Sequence, residues 1–476
     1  MNKLPVILAA ALGTLALAAC AVGPNYVRPD TQVAPAFSGD EHDLYSDGEV
    51  PAQFWTQFGD PTLDQLIADA LGANHDLRIA LAKLSEARAL YHEREFDYAP
   101  TVTASGGYTK ERFPQLTSPT GQPLTEQFYD AGFDAFWELD LFGRVRRQVE
   151  SQHAQVQAAQ ATLRDAQVSV TGELARTYFE LRGEQLQLAV ARRNVENQGE
   201  TLALTRARLE AGRGTEFDAS RAQAQLSGTL ATIGPLEAEI ARSIHRLAVL
   251  TGRAPDALDA LLTPSRELPA LPAISAIGDP AGLLRRRPDI RVAERQLAAA
   301  TAEVGVAIAD YFPQVTFTGN YTYTAAEIGS FGQSPTVGYL IGPRISWAAF
   351  DLGRVHARVS GSRARASGAL AGYEQSVLRA LEETENALVT HARTRQSLQD
   401  AADAAAASRT AAQIARDRYE GGVADFLDVL DAERTQLSAE DSLAQSRTVA
   451  ATSLVAVYKA LGGGWEMAPP PKSAAR

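Results

Sequence analysis

The chain holds a single cysteine, Cys20, among its 476 residues, so no disulfide can close within it and a metal site built on paired cysteines is excluded. Its seven histidines, at 42, 75, 92, 153, 245, 356 and 391, are dispersed, with no pair at ligand spacing. No glycine-rich phosphate loop follows a strand pattern. These absences leave the sequence without support for an enzyme, and the expectation is a non-catalytic protein. After the first twenty residues nothing approaches the roughly 20 continuous apolar residues of a membrane-spanning helix. A closed β-barrel then remains the only way to satisfy every backbone group in lipid. The net charge of −12 argues against nucleic acid as a partner. Proline is missing from 146–211 and again from 355–420.

What is present begins with an address. Lys3 supplies a positive start, 4–16 an apolar run too short to span a bilayer, and Leu17-Ala18-Ala19-Cys20 a small-residue cleavage site. Residues 1–19 read as a secretory signal. Leu-Ala-Ala-Cys also resembles the bacterial lipobox, so Cys20 is expected to carry a covalent N-terminal lipid, the one attached group the sequence implies. The plainer reading is a small apolar residue within the signal. Ala21, where an aspartate would favour the inner membrane, points to the outer membrane.

The chain is written twice. Trp137 and Phe142-Gly143-Arg144-Val145 align with Trp347 and Leu352-Gly353-Arg354-Val355 at an offset of 210, which also carries Gly212 onto Gly422 and Asp218 onto Asp428. Upstream, Tyr98-Ala99-Pro100, Gly106 and Tyr108-Thr109 align with Tyr311-Phe312-Pro313, Gly319 and Tyr321-Thr322 at an offset of 213. Two tandem copies of one unit are expected. Repeat 1 covers 63–252 and repeat 2 covers 280–462, with a Pro-rich linker at 253–279, an N-terminal strap at 20–62 and a mobile tail at 463–476.

Each copy carries two alternating segments: about 101–110 and 128–142 in the first, about 314–324 and 336–349 in the second. Tyr129, Ala131, Phe133, Ala135, Trp137, Leu139 and Leu141 share one face, opposed by Asp130, Asp134, Glu138 and Asp140. Runs of about ten residues at period two suit transmembrane barrel strands, apolar to lipid and polar to the lumen. A soluble antiparallel sheet gives the same alternation. Its recurrence in both copies, behind a lipoprotein signal, favours the barrel. Trp137 and Trp347 fit an aromatic girdle, or else pack at the strand-to-helix junction.

The proline-free stretches predict long helices over about 145–211 and 355–420, each ending in a glycine turn and returning over about 216–250 and 425–461. Gly234-Pro235 interrupts the first return helix and has no counterpart in the second copy, so a local kink is expected there. Four strands per chain cannot close a barrel. Two chains would give eight strands and a filled interior, three would give twelve and an open bore, so a conducting function favours a homotrimer.

These residues resemble the TolC-like outer membrane factor family, in its NodT/OprM-type lipoprotein branch. The resemblance rests on Gly23-Pro24-Asn25-Tyr26-Val27-Arg28-Pro29, Asn74-His75-Asp76-Leu77, Arg287-Pro288-Asp289-Ile290 with Tyr311-Phe312-Pro313, and Tyr419-Glu420-Gly421-Gly422 before Asp428-Val429-Leu430-Asp431. It implies a mostly α chain with a transmembrane β part, trimerising into a 12-stranded barrel on a periplasmic α-helical barrel: the exit duct of a tripartite efflux pump. The implied partners are a periplasmic adaptor (membrane fusion) protein, an inner-membrane RND-type transporter and outer membrane lipid. Carried over residue by residue, Asp428 and Asp431 form an acidic periplasmic gate, steadied by Tyr419 and Asp218, while Gly212, Gly214, Thr215, Gly422 and Val423 form tips that touch the adaptor. Ala424 stands where the family has a latching arginine; Arg213, Arg416 and Arg418 are alternatives. Two rivals share parts of this reading: a type I secretion outlet, and a non-conducting coiled-coil envelope lipoprotein, for which the strands have no use.

Overall fold

The computed structural model describes residues 21–38, 44–46, 48–116, 121–272 and 275–465. The signal segment and Cys20, with the lipidation expected there, lie outside them. The helices in chain order are α1 (Pro61–Ala73), α2 (His75–Glu95), α3 (Arg144–Glu210), α4 (Glu216–Leu250), α5 (Asp259–Leu262), α6 (Pro280–Arg286), α7 (Pro288–Ala309), α8 (Leu352–Glu420) and α9 (Phe426–Ala460). The long strands are β1 (Thr101–Phe113), β2 (Leu124–Leu139), β3 (Gln314–Ala325) and β4 (Val337–Ser346). A two-residue parallel pair joins Tyr45–Ser46 to Ser275–Ala276. No described helix is long and apolar enough to cross a membrane.

The chain divides into two compact units. One gathers Lys83–Gln160 and Val292–Gln375 with the described residues up to Asp30. It holds an antiparallel sheet in the order β1-β2-β3-β4. β2 starts earlier than its alternation indicates and stops at Leu139, because the next residue has another task. Asp140 accepts from the backbone N–H groups of Val145 (3.1 Å) and Arg146 (2.9 Å) and so satisfies orphan donors at the start of α3. In the same unit Arg147 ties down the N-terminal segment, donating to the Val22 carbonyl (3.1 Å) and to Asn25 Oδ1 (2.7 Å).

The other unit gathers Thr31–Ala82, Ala161–Arg291 and the described residues from Ser376 onward. The long helices α3 and α8 contain 67 and 69 residues, about 100 Å each at 1.5 Å per residue. Both end in the same Schellman turn. Gly212 (φ 71°) and Gly422 (φ 75°) take the left-handed position that excludes side chains. Their N–H groups reach Leu209 O (2.9 Å) and Tyr419 O (3.0 Å), and the following residues reach Arg208 O (2.8 Å) and Arg418 O (3.0 Å).

The first return helix spans the expected residues as one element, and α4 runs through Pro235. Interior proline removes one helical hydrogen bond at a cost of about 3 kcal/mol. Here Pro235 and Ala231, whose carbonyl loses its donor, are both exposed, so water can serve that carbonyl.

The core of this unit packs Phe54, Trp55 and Phe58 with Leu63 and Ile67 of α1 against Leu174, Tyr178 and Phe179 of α3 and Leu454 and Tyr458 of α9. Phe54 stacks on Tyr458 at 5.0 Å between ring centroids, and Phe58 meets Phe179 edge-on at 4.7 Å. Into this core α8 sends His391, buried, with its Nδ1 2.9 Å from Ser453 Oγ. Burial first, and then the Arg395 charge, push its pKa from 6.5 down to about 4.

The folded state therefore favours neutral imidazole, and protonation favours the unfolded chain. Stability is undiminished above pH 6.5 and falls as pH drops from 6.5 towards 4, by about 3 kcal/mol in all. In thermal melts recorded across this range, His391→Gln is expected to flatten the acid decline. A decline as steep as that of the native chain would contradict the assignment.

Candidate functional site

Two surfaces stand out, one in each unit. The first is the sheet, whose register gathers most apolar positions on one side. Val102 faces Ala135, Ala104 faces Phe133 and Tyr108 faces Tyr129. Phe133 then faces Tyr321, Trp137 faces Phe317, and Tyr321 faces Tyr339. This face is bare: Val102 is 63% exposed, Ile341 70% and Tyr339 76%. So broad an apolar face is an aggregation hazard in water but the resting state of a strand in hydrocarbon.

The opposite face is wet, with Asp130, Asp134, Glu138, Asn320 and a row of threonines; Asn320 Nδ2 donates to Asp134 Oδ1 at 2.6 Å. Phe128 and Phe136 share the wet face and break the alternation. Among the described residues β1 and β4 each pair on one side only, so the sheet presents two open edges.

The tryptophans anchor this face to the chain in matching ways. Trp137 donates its indole N–H to Tyr98 O (3.1 Å), and Trp347 donates to Tyr311 O (3.0 Å). Both acceptors lie just before a strand of the same copy, so each indole is fastened at the strand-to-helix junction while its ring borders the apolar face.

The second surface is the paired hairpin tips. Leu202, Ala222, Tyr419, Phe426, Val429 and Leu430 form a small buried cluster just behind the turns. Asp428 and Asp431 lie one turn apart on α9, exposed on the side opposite Phe426, Val429 and Leu430. Asp218 is engaged locally: its Oδ2 accepts from Thr215 Oγ1 (2.7 Å) while its N–H donates back to Thr215 Oγ1 (3.2 Å), a capping box at the start of α4. Gly212, Gly214 and Thr215 belong to that turn, and Gly422 and Val423 to its copy. Val423 is 70% exposed. The two return helices begin alike, with Phe217 and Leu427 exposed at matching positions.

Of the arginines considered as latches, Arg416 is engaged away from the turns, donating to buried Glu433 Oε1 (3.1 Å), which also accepts from Thr201 Oγ1 (2.7 Å). One helical heptad further, Arg409 meets buried Glu440 in the same way (2.9 Å). The residue that clasps one tip to the other is Arg208. Its guanidinium lies 4.0 Å from the Tyr419 ring centroid and donates to the carbonyls of Tyr419 and Glu420 (3.3 Å to the latter). Tyr419 is thus engaged through its ring and its carbonyl.

Comparison with known proteins adds a family. The profile described as outer membrane efflux protein (OEP) matches residues 66–253 and 280–463. The probable efflux pump outer membrane protein TtgC of Pseudomonas putida is 31% identical over 469 residues, spanning 96% of each chain. Nodulation protein T of Rhizobium leguminosarum bv. trifolii is 30% identical over 455 residues, spanning 95% of this chain and 96% of that one. Among solved structures, the outer-membrane channel OprN superposes with a TM-score of 0.88 at 46% identity, covering 94% of this chain and 100% of OprN. The open state of the Neisseria gonorrhoeae MtrE outer membrane channel gives a TM-score of 0.82 at 28% identity, covering 94% and 99%.

Proposed function

Because the chain belongs to the outer membrane efflux protein family, and is an outer membrane efflux channel, we propose that three copies pool their strands into a 12-stranded barrel. The observation that carries this is the sheet itself: one bare apolar face, one wet face and two open edges. Four strands cannot be stable in lipid with unpaired edges, and twelve leave a bore that eight would fill. The barrel conducts small molecules passively. Cys20 carries the lipid that holds the N-terminus at the membrane.

In this reading α3, α4, α8 and α9 of three chains wall a periplasmic conduit, and the hairpin tips narrow it. Asp428 and Asp431 then place six carboxylates around a threefold axis, which repel one another and attract cations. Tyr419 and Asp218 steady the tips, the first under Arg208 and the second in its capping box. Gly212, Gly214, Thr215, Gly422 and Val423 meet a periplasmic adaptor protein that is itself carried by an inner-membrane RND-type transporter. The bare Val423, Phe217 and Leu427 suit such a contact. The plainer role for Asp428 is to complement the dipole at the start of α9.

The double variant Asp428→Ala/Asp431→Ala is expected to raise leak and weaken cation preference in planar-bilayer recordings. Conductance and selectivity equal to those of the native protein would refute the acidic gate.

A further inference from the structure

The tandem copies specify how one chain joins the next. The offsets found in the sequence can be tested against strand pairing, because each hairpin lies inside one copy. They carry Thr101↔Phe136, a pair in the first hairpin, onto Gln314↔Ser346, and that pair is present in the second. They likewise carry Trp137→Tyr98 O onto Trp347→Tyr311 O, and both bonds are present. The copies therefore agree residue for residue, and the β2–β3 joint between them has a counterpart: β4 of one chain against β1 of the next.

Resting on the trimer proposed above, we propose the register and the polar contact of that joint. Asp134↔Asn320 becomes Arg344↔Gly107 of the next copy, and Gly132↔Thr322 becomes Gly342↔Thr109 of the next copy. Facial parity agrees: Ile345 and Ile341 of β4 fall beside Gly106 and Lys110 on the lipid side, while Arg344 and Gly342 remain on the wet side. β2 extends to Leu139, whereas β4 stops at Ser346, three residues short of the matching position Ala349. In this register 347–349 pair with β1 of the next copy, as 137–139 pair with β3 within the chain.

The joint also pairs charges that the single chain leaves apart. Among the described residues neither Arg344 nor Asp130 makes an ion pair. Asp130 faces Gly107 across the first hairpin, and its carboxylate leans over that glycine, 3.0 and 3.2 Å from where a Cβ would stand. In the register above, Arg344 of one copy flanks Gly107 of the next from the other side. Two strand spacings, about 10 Å, separate the two backbones. Gly107 leaves the path between them clear, and the arginine side chain reaches across it to Asp130. In the joint within the chain, the direct Asn320–Asp134 hydrogen bond fills the matching place.

The test uses full-length protein in native membranes. Gly342→Cys is combined in turn with Gly107→Cys, Thr109→Cys or Glu111→Cys, each compared with its single variants so that Cys20 is controlled, and oxidised with copper phenanthroline. Cross-linked trimer is expected in the Thr109 combination at about tenfold the yield of the other two. Highest yield with Gly107 or Glu111 overturns the register and leaves the trimer standing. No trimer band from any pair overturns the trimer as well.

Separately, Arg344→Glu is expected to lower the detergent-resistant trimer roughly tenfold, and adding Asp130→Arg to restore it. An unchanged trimer, or failure of the second change to restore it, overturns the ion pair.

Discussion

Gly132→Val is expected to abolish channel assembly while leaving the helical unit folded. A Cβ at this position would stand 2.5 Å from the Tyr321 carbonyl oxygen and from Thr322 Cγ2, and 2.9 Å from Thr322 Cα. Two of those atoms are backbone, so no rotamer relieves the contact and β2 and β3 must separate. That joint alone connects the two hairpins within the sheet. Overpacking of this kind costs about 3 kcal/mol or more, enough to lower the assembled fraction by at least roughly a hundredfold. Gly319→Ala is the control: its Cβ would meet only side chains, at 3.6 and 3.7 Å, an ordinary contact. Detergent-resistant oligomer on gels and the number of conducting events per mass of protein both report the result. Wild-type levels of each for Gly132→Val would contradict the sheet as described.

The second large effect is expected at Arg208. Its alanine variant removes two charge-assisted hydrogen bonds to the second tip and the stacking on Tyr419. Arg208 is partly exposed, so solvent screens the clasp and its net contribution is about 1.5–3 kcal/mol, the size of one charge-assisted hydrogen bond. If the tips form the aperture, the open fraction rises by about one to two orders of magnitude. In recordings this appears as longer and more frequent openings, and in cells as sensitivity to bulky antibiotics. Arg208→Lys keeps the charge but loses the planar fork, so it falls between the two. Gating unchanged in Arg208→Ala would show that the clasp only stabilises the hairpins.

Much of this architecture was legible because it repeats. Alternation marks the strands, and the absence of proline marks α3 and α8. The glycine turns mark the tips, and the two offsets carry enough information to predict strand register. Contacts that are single and distant left no such trace. Arg208 and Tyr419 belong to different copies, have no counterpart pair, and are brought together only by helix packing. Asp218 shows the reverse: Thr215 and Asp218 stand at capping-box spacing in the sequence, a local signal that the family resemblance overshadowed. The buried Glu433 and Glu440 with Arg416 and Arg409 repeat at seven residues in each helix, a spacing that could have flagged them. Pro235 does not end α4 because propensity is a local cost, and a long helix fixed by packing along its length can absorb it.

The central claim is that the apolar sheet faces belong to staves shared among three chains. The most direct measurement combines native mass spectrometry of the detergent-extracted protein with single-channel recording of the same sample. A mass of three chains with stepwise conductance is predicted. A mass of one chain, with no conductance steps, would contradict it.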